Sequence, residues 1–136
     1  MARLSAQSTP AQSPAQIVDA AEDAISGDSD AVVRACWTAA LRRDPGDREA
    51  LLGLASLARG TYEFETPDTL LTTLLTRSDR GPDAWSVQAR LGLYRVANAM
   101  GETRRSDSLL KIAIVEARRI GDKTAEISAL IGFANT

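Results

Sequence analysis

Residues 91–136, LGLYRVANAMGETRRSDSLLKIAIVEARRIGDKTAEISALIGFANT, decide how the whole chain reads. Apolar side chains recur every three or four positions through Leu93, Val96, Ala97 and Met100, then through Leu109, Leu110, Ala113, Ile114, Ala117 and Ile120. Gly101 and Gly121-Asp122 interrupt them. That spacing is the signature of amphipathic helices, and glycine after the last apolar residue is a stop. The stretch is therefore helix, turn, helix, turn and the opening of a third helix, which is still apolar at Ile127, Leu130, Ile131 and Phe133.

The same grammar runs upstream. Ser13-Pro14 supplies an N-cap followed by a proline whose missing N–H costs nothing in the first turn. Ile17, Ala20, Ala21, Ala24 and Ile25 then share a face until Gly27-Asp28. Asp28, Ser29 or Asp30 caps the next helix, whose apolar side is Val32, Val33, Cys36, Trp37, Ala40 and Leu41. It ends at Asp44-Pro45-Gly46-Asp47, since proline neither extends a helix nor tolerates helical geometry just before it. Asp47 caps a third helix over 48–59, with Leu51, Leu54, Ala55 and Ala58 in register and Gly60 as a left-handed stop. Residues 61–65, with Tyr62 and Phe64, are the least regular piece. Thr66-Pro67-Asp68 opens a fourth helix through Leu70, Leu71, Leu74 and Leu75; its four threonines make a strand the alternative, but leucines at i and i+4 favour the helix. Gly81-Pro82-Asp83 opens a fifth, which carries Trp85 and Ala89 and runs as far as Met100. Residues 1–13, rich in Ser, Gln, Pro and Ala, read as a flexible lead-in.

The totals exclude several classes of function. A chain of 136 residues, 44% apolar and 25% charged, suits one folded domain or a short repeat array. A net charge of −2 offers no basic surface to nucleic acid. Histidine is absent, which removes the usual neutral-pH base and the commonest metal ligand together. Cys36 is the sole cysteine, so it forms no internal disulfide or zinc site and is expected to be a small buried hydrophobe. No apolar run approaches the roughly 18 residues of a membrane span. The cytoplasm is the favoured compartment, with the periplasm or export left open.

Seven helices separated by Gly, Pro and Asp turns call for a test of internal repetition. The first helices of successive pairs superpose through Ala21, Ala55, Tyr94 and Gly132, at spacings of 34, 39 and 38 residues. In the second helices, Val33, Trp37 and Pro45 fit a pattern of small residue, aromatic and closing proline. On these residues the chain, from about residue 14 to its end, resembles the tetratricopeptide repeat family, in its longer-period bacterial form. The resemblance implies an all-α fold: a right-handed superhelical array of antiparallel helix pairs, with units at about 14–46, 47–81 and 82–122 and a half-unit at 123–136. It also implies a protein-interaction scaffold whose first helices line a concave groove that takes a peptide or partner protein. The groove positions are Asp19, Glu22, Glu49, Leu52, Ser56, Arg59, Gln88, Leu91, Arg95, Asn98 and Glu126. A partner carboxylate is expected near Arg95, because guanidinium binds carboxylate in a forked geometry. The lysine and asparagine clamp of chaperone-binding members is not reproduced.

Other chemistry is weaker. Asp19, Glu22 and Asp23 lie one turn apart, but a solvated helix face accounts for them. Asp28, Ser29 and Asp30 lack the spacing of a calcium loop. Arg104-Arg105 and Arg118-Arg119 are explained by pairing with Glu102, Asp107 and Glu116 on the helix surface. The expectation is a non-enzyme with no cofactor and no metal. Two alternatives accompany the scaffold reading: a non-catalytic repeat front end of a larger signalling or protease protein, or a module that dimerises through Ile127, Leu130, Ile131 and Phe133 of its last helix.

Overall fold

The computed structural model describes residues 12–60, 65–76 and 82–134. Within them lie seven helices and no strand: α1 (Pro14–Ser26), α2 (Asp30–Arg43), α3 (Arg48–Gly60), α4 (Glu65–Thr76), α5 (Ala84–Ala99), α6 (Thr103–Ile120) and α7 (Lys123–Ala134). The lead-in at 1–11, the irregular segment at 61–64 and the turn at 77–81 lie outside the described residues.

Local chemistry explains the boundaries. Ser13 and Gln16 form a reciprocal capping box ahead of α1, with Pro14 in its first turn. Asp83 and Ser86 do the same for α5. Asp47 and Asp122 each accept from a backbone N–H three residues on, at the starts of α3 and α7. Gly101 and Gly121 adopt positive φ values of 77° and 75°, which close α5 and α6. Gly60 does not act as a left-handed stop. It is the last helical residue of α3, and a Cβ there would run into the Ile25 side chain, so the glycine serves a close approach of α1. α4 begins two residues before Pro67, and its threonines bond back along the helix: Thr69 donates to the Glu65 carbonyl, Thr73 to that of Thr69, and Thr76 to that of Thr73. Their hydroxyls are thus satisfied inside the helix that they would otherwise weaken.

Each helix packs against the next in sequence, and α1, α3, α5 and α7 also touch in succession. The described residues of α2, α4 and α6 approach only the odd helices on either side. The odd helices therefore form one layer and the even helices another. α1 additionally reaches α5. The core follows this arrangement. Ile17, Leu51, Leu52, Leu71, Leu74 and Leu93 form one cluster, Val87, Leu91, Leu110, Ile114 and Ala129 a second, and Ala21, Ala24 and Leu57 a third.

Three glycines of the odd layer set its contact with the preceding even helix. A Cβ on Gly53 would lie 2.5 Å from the Trp37 indole, one on Gly92 2.8 Å from Leu71, and one on Gly132 3.1 Å from Leu110. These sites stand 39 and 40 residues apart, within Leu52-Gly53, Leu91-Gly92 and Ile131-Gly132. The close approaches thus fall two residues before Ala55 and Tyr94, the small-residue positions of the sequence superposition, and coincide with it only at Gly132. The first pair departs from expectation in α2 as well: Val32 is 68% exposed and Cys36 is exposed, so neither belongs to the core.

Candidate functional site

The odd layer carries the site. On α3, Leu52, Ala55, Ser56 and Arg59 follow the i, i+3, i+4, i+7 spacing that puts residues on one face, as do Gln88, Gly92 and Arg95 on α5. With Val18 of α1 and Leu71 of α4 they line a single small pocket. Its volume is about 10 Å³, room for roughly one water molecule. Its floor is apolar and its donors are Arg59, Gln88 and Arg95.

Ser56 is buried and its hydroxyl is engaged, donating to the Leu52 carbonyl at 2.9 Å. The two arginines are different. Burial pushes the Arg95 guanidinium below its ordinary pKa, and the neighbouring positive charge of Arg59 adds to this. Glu22 on α1 and Tyr94 act in the opposite direction. Among the described residues neither Arg59 nor Arg95 makes a side-chain hydrogen bond or ion pair. Every other arginine in an ion pair here has a carboxylate within 3.8 Å or less.

The remaining expected residues scatter. Asn98 is exposed on α5, one turn beyond Arg95, and Asp19 and Glu22 are exposed on α1. Leu52 and Leu91 are core residues, 1% and 2% exposed, so they support the groove from beneath. Glu126 is held by Arg118 at 2.7 Å and does not reach the pocket. Glu49 faces a separate open cleft of about 420 Å³, with Ser13, Asp44, Asp47, Arg48 and Trp85. Burial, then the nearby Asp47 charge, raises the Glu49 carboxyl above its usual range. Arg48 lies 5.0 Å over the Trp85 ring and 3.8 Å from Asp83 at the edge of that cleft.

On α7, Ile127 and Ile131 are each 56% exposed and Leu130 41%, whereas Phe133 packs with the second core cluster. The buried side of this helix is Ala125, Ala129 and Gly132.

The basic doublets are tied down, largely by partners other than those expected. Arg105 grips Asp68 of α4 through two nitrogens at 2.9 Å each and reaches Glu102 at 3.4 Å. Glu116 is taken by Arg90 at 2.8 Å. Among the described residues no group of three or more His, Cys, Asp or Glu is placed to hold a metal ion, and no helix is long and apolar enough to cross a membrane.

The chain matches no protein-family model, no curated protein and no solved structure.

The sequence reading missed the glycine approaches, although the recurrence of Leu-Gly or Ile-Gly in three helices was visible. It also missed Arg90–Glu116 and Arg105–Asp68, whose partners lie 26 and 37 residues apart. No local pattern marks such pairs.

Proposed function

We propose that this chain is a protein-interaction module of the tetratricopeptide type, a right-handed α-solenoid of about three and a half helix pairs. In this reading the odd helices line its concave face, and an extended peptide or a partner's loop lies across Ser56, Arg59, Gln88, Arg95 and Asn98. The repeated contact of a bulky even-helix residue with Gly53, Gly92 and Gly132 supports the repeat reading, since a small residue where helices cross is the family's physical requirement. One observation carries the binding reading: Arg59 and Arg95, from different helices, converge on one pocket with no partner among the described residues. A guanidinium withdrawn from water without a counter-ion is costly, so a site of this kind is relieved by an incoming anion. The reading assigns the chain no reaction and no cofactor.

A photo-crosslinking residue tests it, placed in turn at Asn98 on the odd layer and at Lys111, exposed on α6. Adducts from Asn98 that are absent from Lys111 are expected, and Gln88→Trp, which fills the pocket mouth, should weaken the captured partner at least tenfold. Equal adducts from both positions sink the concave-face reading.

A second reading rests on α7, where Ile127, Leu130 and Ile131 form an exposed apolar strip. A helix apolar on both sides is ordinarily covered, and a second copy of the chain is the occupant proposed here. Light scattering decides: a concentration-dependent dimer is expected, returning to monomer in Ile127→Ser/Ile131→Ser. A monomer at all concentrations removes this reading.

A further inference from the structure

The pocket between α1, α3 and α5 invites a narrower assignment than a general binding face, one that rests on the interaction reading above. We propose that it seats a single carboxylate, gripped by Arg59 and Arg95 with Gln88 as an additional donor, and that Glu22 is its internal competitor.

Three observations converge. Size comes first, because about 10 Å³ admits a terminal group and excludes a ring or a sugar. The walls come next: Val18, Leu52, Ala55 and Leu71 are apolar and Gly92 offers no side chain, so only the guanidinium side and Gln88 can satisfy a charged group. A planar carboxylate matches the planar guanidinium fork with two parallel bonds, whereas a tetrahedral phosphoryl group needs more room and more donors. Charge comes third. The like charges of Arg59 and Arg95 reinforce each other's cost, and burial already depresses Arg95. The carboxylate whose field reaches Arg95 is Glu22, on the exposed face of α1, and it forms no ion pair with either arginine. Glu22 therefore offsets part of the charge without occupying the seat.

Two sources of carboxylate share this chemistry: the free C-terminus of a chain, and an Asp or Glu side chain within one. The test uses the full chain labelled with nitrogen-15 in arginine, following the Nε–Hε signals of Arg59 and Arg95 at constant ionic strength. Sodium acetate is the first probe, with sodium chloride and acetamide as controls. Saturable movement of both signals with acetate alone is expected, and it should disappear in Arg95→Gln. Arg95→Lys, which keeps the charge and loses the fork, should weaken acetate severalfold, and Glu22→Gln should tighten it roughly two- to fivefold. Arg95→Gln removes a desolvated charge, so its melting temperature should not fall, which separates lost binding from lost fold. Two short peptides then name the source, one ending in a free carboxylate, the other amidated and carrying one glutamate. Saturation by either supports the assignment.

Movement with chloride equal to that with acetate overturns the proposal, as does saturation that survives Arg95→Gln. Inorganic phosphate binding more tightly than acetate overturns the carboxylate assignment. Acetate saturation with no Asn98 adducts would leave the seat standing while the partner reading falls. Adducts without acetate saturation would do the reverse.

Discussion

At the level of single residues, Gly53 and Gly132 make a matched pair. Both sit in an odd helix beneath a side chain from the helix before, but the gap differs: 2.5 Å to a flat indole at Gly53 and 3.1 Å to a leucine methyl at Gly132. Alanine gains about 1 kcal/mol over glycine in a helix interior, while overpacking costs about 1–3 kcal/mol. Gly53→Ala should therefore lose about 1–2 kcal/mol, because three Trp37 ring atoms meet the methyl at once. Gly132→Ala should stay within about 1 kcal/mol of the parent, on the stabilising side. Urea melts of both variants check the contrast, and equal losses would mean that the indole moves aside freely. Asp68 supplies a pH test. Its carboxyl is held below the ordinary range chiefly by the Arg105 hydrogen bonds, against an upward push from burial. A depressed folded value lends stability that is complete above the unfolded value near pH 4 and is lost as pH falls through the folded one. Both side chains are about one-third exposed, so the surface scale applies: Asp68→Asn should lose about 0.5–1 kcal/mol near pH 7. The gap should close below about pH 4. A deficit unchanged at pH 3 would assign the effect to shape and not to charge.

At the level of helices, the sequence was most legible where caps and stops are chemical. Ser13-Pro14, Asp47, Asp83, Gly101 and Gly121 each mark a boundary that the structure keeps, because the reasons are local: an oxygen for an orphan N–H, or freedom at positive φ. Helix α2 shows where legibility ends. Its 3.6-residue period was read as one broad apolar face, but only Val33, Trp37, Ala40 and Leu41 are partly covered and no residue is fully buried. Period reveals where an apolar stripe lies, whereas its covered width depends on how many helices press on it, and α2 is pressed only by α1 and α3. Cys36 reports on this directly. Ellman's reagent should modify it in the native chain at a rate close to that in urea, and strong protection would return Cys36 to the core. The candidate site was half legible for a related reason. Arg59, Gln88 and Arg95 could be placed on one face of their own helices, but their convergence on one pocket depends on how α3 and α5 are rotated about their axes.

For the molecule as a whole, burial is unevenly distributed. Nine consecutive residues of α3, Ala50 to Ala58, are buried, and α5 is nearly as well covered, whereas α2 has none and α7 three. Native-state hydrogen exchange should accordingly rank the amides of α3 and α5 slowest and those of α2 fastest, because local opening exposes least where little is buried. Uniform protection would contradict the burial map. One contact bears on how the whole comes apart. In a stack whose units touch only their immediate neighbours, heat can peel the ends away piece by piece. Here α1 also touches α5, skipping a pair, so α1 to α5 share contacts that none can lose alone. The first five helices form a cooperative block that should melt in one transition, leaving α7 as the segment free to melt on its own.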